Sequence, residues 1–220
     1  MDKLAQILKN VSLFEGFEDK EISSILNCLN GRIEEYKKNT LIFKEGDKID
    51  ELGIVLSGDI HLIKNDYFGN ENLIAKVTPM ELFGEAAACS NLLTLPVTIF
   101  AMSNSKILYL KYKKIITTCS NACKFHLKLI ENMVTLLADK NLILNNKLDY
   151  ISKRSIKEKV LSYLNDQSKL NNSKKFKIPF NREHLANYLA VDRSALSNTL
   201  SKLRDEKIIT YNKNEFNLLI

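Results

Sequence analysis

Residues 181–220 read NREHLANYLAVDRSALSNTLSKLRDEKIITYNKNEFNLLI, and this stretch decides the fold of the last third of the chain. A short apolar stripe, built on two leucines four residues apart, ends at the turn formed by residues 190–192. Asp192 is a good N-cap, because a carboxylate accepts hydrogen bonds from free N–H groups and suits the positive end of a helix. The pattern therefore predicts a helix, a tight turn, and a second helix from Arg193 to about Asp205.

The second predicted helix has an apolar side and a polar side. The apolar positions, spaced to face inward, are Leu196, Leu200 and Leu203. The polar positions, which we predict to contact DNA, are Arg193, Ser194, Ser197, Asn198 and Lys202. A helix pair with a tight turn and a polar outer face lays its second helix in the major groove of DNA. Arg182, at the start of the first helix, is added to these predicted contacts.

A β-hairpin is expected directly after the helix pair. Residues 208–220, IITYNKNEFNLLI, alternate about the turn Asn212-Lys213-Asn214, and KFKIPF at 175–180 predicts a further strand. An ordinary helical hairpin would share the apolar spacing of the two helices. The capped turn, the polar face, this hairpin wing and the local charge together favour DNA binding.

The net charge of +6 is unevenly placed. Residues 1–148 hold 18 of the 32 Lys and Arg residues and 18 of the 26 Asp and Glu residues, so residues 149–220 carry all of the excess. Because residues 1–148 are neutral and residues 149–220 are basic, the charge favours a polyanionic partner for the last third of the chain. A lysine-rich solvated surface is the alternative interpretation.

The composition is that of an ordinary soluble globular protein, with 45% hydrophobic and 26% charged residues in 220. The N-terminal stretch lacks the uninterrupted apolar core of a signal peptide, and there is no apolar run of 18 residues. Four cysteines in such a chain are expected to be reduced thiols, which predicts a cytoplasmic location.

From about Ser120 the apolar period becomes helical for roughly thirty residues. The apolar face is wide enough to cover one partner and to form a two-stranded coiled coil with a second copy. The predicted dimer interface consists of Ile130, Met133, Leu137 and Leu144. A long helix buried within one subunit is the alternative, and a hinge is expected near Lys147–Tyr150.

The spacing of apolar residues changes once within the first half of the chain. Residues 1–35 have helical spacing, whereas residues 40–112 contain short β-like runs broken by turn residues. Many short strands at regular spacing predict an antiparallel roll. The expected fold class is therefore α+β, with a β-roll over 1–118, a central dimerisation helix and hinge over 119–148, and a winged helix-turn-helix over 149–220.

In this order of elements the chain resembles the cyclic-AMP receptor protein/fumarate-nitrate regulator (CRP/FNR) family of bacterial transcription factors. The resemblance rests on the long helix, on DRSALSNTLSKL at 192–203, and on the roll glycines Gly46, Gly58, Gly69 and Gly84. It implies a cyclic-nucleotide-binding-like roll that holds an effector or redox signal, a homodimer on a palindromic DNA site, and RNA polymerase as a partner. Members of the family read bases with positions that correspond here to Arg193, Ser194 and Asn198.

The resemblance also implies an effector pocket in the roll. In members that bind cyclic nucleotides, a Gly-Glu pair holds the ribose and an Arg-Ser/Thr pair about ten residues later holds the phosphate. Gly84 and Glu85 match the first pair, but Leu95 and Pro96 stand where the second is expected. The predicted pocket comprises Gly84, Glu85, Leu95, Pro96, Lys140 and Asn141. We expect it not to bind cyclic AMP, while another effector and an empty structural roll both remain open.

Metal and enzyme chemistry have weaker signals. Cys119 and Cys123 are four apart and can share a metal or oxidise together, but such residues are more often small core side chains. His126 can ligate haem, although an ordinary histidine is the alternative. Glu85 has no carboxylate or nucleophile partner at motif spacing, so no enzyme activity, metal or cofactor is predicted. The alternative function is an effector-binding β-roll module whose helical tail contacts protein partners.

Overall fold

The computed structural model describes residues 2–69, 71–91, 94–117 and 124–219. It divides into two compact units, residues 1–138 and residues 139–220, and each is considered by itself. No described helix is long and apolar enough to cross a membrane. The domain limits expected at residues 118 and 148 stay predictions.

The first unit begins with helices. These are α1 (Asp2–Leu8), a 3-10 helix (Ser12–Phe14) and α2 (Asp19–Leu29). The expectation that helical structure extends to residue 35 is wrong. Asn30 adopts a left-handed conformation (φ 51°) that ends α2, and the first strand begins two residues later.

Two four-stranded antiparallel sheets follow, which confirms the predicted roll. The strands are β1 (Arg32–Tyr36), β2 (Leu41–Phe43), β3 (Glu51–Ser57), β4 (Ile60–Asn65), β5 (Glu71–Val77), β6 (Leu82–Phe83), β7 (Thr98–Ala101) and β8 (Ser105–Lys111). The first sheet has the order β1-β8-β3-β6 and the second the order β2-β7-β4-β5. Two short helices, α3 (Glu85–Ala88) and α4 (Tyr112–Ile116), complete this part.

The first sheet is covered on both faces. Consecutive residues from Leu52 to Leu56 on β3 are buried, which a strand with one solvated face would not allow. Leu52, Ile54 and Leu56 belong to a core shared with α1 and α2, whereas Val55 belongs to a second core between the sheets. The roll is therefore a three-layer arrangement of helices, sheet and sheet.

Gly58 makes the turn between β3 and β4 possible. Its φ is +80°, and a Cβ there would lie 2.3 Å from Ser105 Oγ and 2.5 Å from the Asn104 carbonyl oxygen. Because the second atom belongs to the backbone, it has little freedom to move aside, so only glycine fits.

The long helix predicted from the helical apolar period is α5 (Lys124–Ser152). Leu129, Met133 and Leu136 are buried in the helical core of the first unit. Tyr150, near the other end, is buried in the core of the second unit. The helix is continuous through 147–150, where the sequence predicted a hinge, and the compact units divide earlier, after Ala138.

The rest of the second unit contains the predicted helix pair and wing. Its elements are α6 (Ile156–Leu170), β9 (Lys175–Lys177), α7 (Arg182–Tyr188), α8 (Arg193–Asp205), β10 (Ile209–Asn212) and β11 (Glu215–Leu218). The strands form an antiparallel sheet in the order β10-β11-β9. The observed α8 has the same bounds as the predicted second helix, so the winged helix-turn-helix is confirmed.

Candidate DNA interface and effector pocket

The recognition helix α8 begins at a well-formed cap. Asp192 Oδ1 accepts hydrogen bonds from the backbone N–H groups of Ser194 (2.8 Å) and Ala195 (2.9 Å), and from the Ser194 hydroxyl (2.6 Å). These hydrogen bonds, with the Ser194 side chain first, lower the pKa of Asp192 below its usual value. The cap fixes where the helix starts and therefore which side chains occupy its first turn.

The two faces of α8 separate as the sequence predicted. Leu196, Leu200 and Leu203 are fully buried in the core of the second unit. The exposed side chains of α8 include all five predicted contacts: Arg193, Ser194, Ser197, Asn198 and Lys202. Two of the hydroxyls are already used, because Ser194 donates to the cap and Ser197 donates to the Arg193 carbonyl oxygen at 3.0 Å. The Arg193 guanidinium and the Asn198 amide are thus the best-suited groups for reading base edges.

Arg182 has a contact that the sequence did not predict. It is only partly exposed, and its guanidinium lies 4.6 Å from the centre of the Tyr211 ring and 5.2 Å from that of Phe216. Burial lowers the pKa of Arg182, although its guanidinium stays charged at any physiological pH. The side chain packs on the wing, and a DNA contact by Arg182 stays a prediction.

A groove of about 740 Å³ opens between the start of α7, the start of α8 and the wing turn. Its charged side chains are the cations Arg182, Arg193 and Lys213 and one carboxylate, Glu183. Lys213 was predicted only as a turn residue, and its left-handed backbone (φ 52°) places it at the tip of the wing. The charge of Lys213 and its place in a wing turn were the signals that could have identified it as a site residue. Three cations against one carboxylate give the groove an excess of positive charge, which suits a polyanionic backbone.

The Gly-Glu stretch of the roll leads into a short helix. Gly84 has φ +76° and leads into the short helix α3, and Glu85 is buried at 7% exposure. Leu95 is 3% exposed and belongs to the apolar core between the sheets, whereas Pro96 is exposed. The backbone of Leu95 pairs with the loop opposite, accepting from Gly46 N–H at 2.8 Å and donating to the Asp47 carbonyl oxygen at 2.9 Å. A leucine side chain therefore stands at the position expected for a phosphate-binding arginine.

Two sequence models match the chain at these places. Residues 33–122 match the cyclic nucleotide-binding domain, and residues 158–219 match the Crp-like helix-turn-helix domain. Together the matches span more than two thirds of the chain, in the order that the fold shows.

The chain belongs to the CRP/FNR family.

This family consists of DNA-binding transcription regulators, not of enzymes. The CRP/FNR chain is 29% identical over 80 residues to the CRP-like cAMP-activated global transcriptional regulator of Mycobacterium tuberculosis, covering 36% of the chain and 35% of that relative. It is 33% identical over 78 residues to the cyclic AMP receptor protein of Thermus thermophilus, with the same two coverages. The matched part is thus about a third of the length of these curated relatives. The crystal structure of the Thermus thermophilus catabolite activator protein has a TM-score of 0.56 at 22% identity, covering 94% of this chain and 93% of that one, which shows a common fold.

The remaining pocket residues of this CRP/FNR chain lie on α5 in the second unit. Lys140 is partly exposed and Asn141 is exposed. The side-chain oxygen of Asn141 accepts a hydrogen bond from Asn145 Nδ2 at 2.8 Å. Gly84, Glu85, Leu95 and Pro96 lie in the first unit, so the proposed grouping of all six residues stays a prediction.

The predicted dimer face divides into buried and exposed parts. Met133 is 3% exposed in the core of its own chain, and Leu137 packs against the same core. Leu144 is 59% exposed. The exposed apolar side chains of α5 also include Leu127, Val134 and Leu148, which the sequence reasoning did not assign to this face. These alternate with Ile130, Leu137 and Leu144 at steps of three and four, the spacing of a coiled-coil seam.

The predicted redox and metal candidates are only partly placed. Cys119 and Cys123 lie outside the described residues. His126 is 1% exposed and lies near Cys28. Among the residues that the structure describes, no three His, Cys, Asp or Glu side chains are grouped so that they could hold a metal ion.

Proposed function

We propose that this chain is a homodimeric, sequence-specific DNA-binding transcription regulator that responds to a signal other than cyclic AMP. The observation that carries the proposal is the exposed polar face of α8, which opens on Arg193 and is anchored by three fully buried leucines. A DNA-binding regulator would work in the cytoplasm beside RNA polymerase.

The chemistry of the interface favours DNA over a protein partner. The positive charge lies in the last third of the chain, and the basic side chains Arg182, Arg193 and Lys213 surround one groove. A guanidinium at the start of a recognition helix can bond two acceptors of a guanine in the major groove. Lys202, further along α8, would meet a phosphate.

The exposed apolar seam of α5 supports a homodimer. Asn141 stands at the step of the seam between Leu137 and Leu144, where one polar residue sets the register and the number of strands in a coiled coil. Two recognition helices joined in this way would read two half-sites of a palindrome about 34 Å apart.

The effector side of the proposal rests on Leu95. A cyclic phosphate in the roll would face a buried leucine and a proline, neither of which supplies a charge or an N–H from its side chain. Loss of a bidentate arginine contact to a buried anion costs about 3–5 kcal/mol. Two of the relatives are named for cyclic AMP, but we therefore do not assign cyclic AMP to this chain as its effector.

Selection of bound duplexes from a random pool, followed by anisotropy titration of the winning duplex, tests the function. We expect one palindromic site and an affinity whose logarithm falls by roughly 0.9 per contacted phosphate and per unit of log salt. The matched control is the same duplex with both half-sites scrambled. Binding that does not distinguish the two duplexes at any salt concentration would favour the protein-contacting alternative.

A further inference from the structure

A buried histidine faces a cysteine inside the first unit. Cys28 on α2 and His126 in the first turn of α5 are 98 residues apart in sequence, yet Cys28 Sγ lies 3.9 Å from His126 Nε2. His126 is 1% exposed, whereas Cys28 is partly exposed. The helices that carry the pair contribute Ile25, Leu29 and Leu129 to the apolar core.

The other ring nitrogen of His126 determines which tautomer is favoured. Nδ1 is buried and has no hydrogen-bond partner among the residues that the structure describes. A proton on Nδ1 would leave a buried N–H without an acceptor, which is costly. The tautomer with its proton on Nε2 avoids this cost, and Nε2 is the ring atom that faces the sulfur of Cys28.

An N–H donor that faces a sulfur atom favours the thiolate over the thiol, and the thiolate is the reactive nucleophile. We infer that Cys28 is a peroxide-reactive thiol, activated by His126, which hydroperoxides convert to a sulfenic acid. The sulfur attacks one peroxide oxygen, an S–O bond forms, and the O–O bond breaks. The sulfur loses two electrons, and the leaving alkoxide or hydroxide takes the thiol proton, so that a thiol and a hydroperoxide give a sulfenic acid and an alcohol or water.

Cys89 provides an internal comparison in the same unit. Burial raises the pKa of Cys89, and the charge of Glu85 raises it further, against the lowering effect of a hydrogen bond from Tyr112. Its thiolate is therefore disfavoured at neutral pH, and we expect Cys89 to react slowly.

Oxidation of Cys28 would act on the start of α5. An oxygen bonded to Sγ and directed at Nε2 would lie closer to the ring nitrogen than a hydrogen bond allows, because the two atoms are only 3.9 Å apart, so the two helices must shift or the side chains must rotate. The modification would thus disturb the start of α5, the helix that carries the proposed dimer seam. It is independent of the DNA interface, and its failure would leave the DNA-binding proposal untouched.

The test uses the reduced full-length chain, hydrogen peroxide and a 1,3-diketone that traps sulfenic acids, with peptide mass spectrometry to locate the label. We expect Cys28 to be labelled about tenfold faster than Cys89. Equal labelling of the two residues would overturn the proposal, and this comparison needs no variant. In a Cys119→Ser, Cys123→Ser variant the Cys28 rate should be unchanged. A loss of Cys28 labelling in this variant would mean that oxidation reaches Cys28 through another thiol.

Two substitutions separate the chemistry of His126 from its packing. His126→Leu removes the donor and should slow the labelling of Cys28 about tenfold relative to Cys89, whereas His126→Gln keeps a neutral N–H and should restore part of the rate. Thermal unfolding followed by circular dichroism identifies the variants that are folded. A folded His126→Leu protein with an unchanged Cys28-to-Cys89 ratio would show that His126 does not activate the thiol.

Discussion

The guanidinium of Arg182 lies 4.6 Å from the centre of the Tyr211 ring, which joins the first helix of the helix-turn-helix to the wing. Phe216 on the next strand lies on the same cation at 5.2 Å. Because a half-buried guanidinium over two rings is held more firmly than an exposed one, this contact stabilises the wing against α7.

Replacing Arg182 with alanine should lower the free energy of unfolding by about 1–2 kcal/mol, because the cation–π contact and the packing of its stem are both lost. Urea denaturation measures the change. Arg204→Ala is the matched control: Arg204 lies 5.9 Å from the same ring and is exposed, so its loss should cost less. Unchanged stability together with weaker DNA binding would show that Arg182 acts as a DNA contact.

Arg193→Ala should weaken binding to the selected duplex by about 1–3 kcal/mol per half-site and relax the preference at one base pair. Lys202→Ala should weaken binding to all duplexes alike and reduce the salt dependence, since a phosphate contact carries no sequence information. Anisotropy against the selected duplex and its single-base variants measures both. Full affinity and an unchanged preferred site in the Arg193 variant would mean that other side chains of α8 contact the bases.

The helix-turn-helix was predictable because its signals are local. The cap at Asp192, the leucine spacing and the turn before the wing lie within a few residues of the elements that they specify, and α8 has its predicted bounds. The strand β1 was assigned to a helix because RIEEY lacks alternating apolar residues. Its Ile33 is 40% exposed, and β8 is the one described strand with which β1 pairs, at the edge of its sheet.

Long-range contacts could not be predicted from the sequence pattern. The packing of Arg182 on the wing and the approach of Cys28 to His126 join residues far apart in the chain, and no periodicity indicates either contact. The burial of Met133 was also missed, because the heptad spacing does not tell which part of a wide apolar face covers the chain's own core.

Leu144→Asp should convert the protein to monomers in sedimentation velocity and abolish tight binding to a two-half-site duplex. Leu144 is 59% exposed on α5, so the substitution puts a charge into the proposed seam without touching the core of one chain. Leu170→Asp is the control, because Leu170 is 78% exposed at the end of α6, away from the seam positions. A Leu144 variant that stays dimeric would move the interface elsewhere.

Asp192→Ala should destabilise the protein at neutral pH, and this loss of stability relative to the unmodified protein should be smaller in acid. The pKa of Asp192 is lowered in the folded protein, so its contribution is present above the ordinary aspartate pKa and is lost as the pH falls through the folded value. Asp192→Asn keeps an N-cap acceptor and should lose less than the alanine variant. Thermal unfolding between pH 7 and pH 3 measures this. A deficit that does not change with pH would mean that the charge of Asp192 does not contribute.

Calorimetry with cyclic AMP and cyclic GMP should detect no binding with a dissociation constant at or below the micromolar range. The 3–5 kcal/mol expected for a missing arginine corresponds to a loss of about 10²–10⁴ in affinity. Leu95 fills the apolar core and uses both backbone groups in the loop, so neither its side chain nor its N–H is available to a phosphate. The pair of substitutions Leu95→Arg and Pro96→Ser restores the expected phosphate ligands and should raise the affinity, if thermal unfolding shows that the roll accepts the arginine. Micromolar or tighter binding by the unmodified protein would show that another basic residue neutralises the phosphate, and that the leucine at position 95 does not decide the ligand.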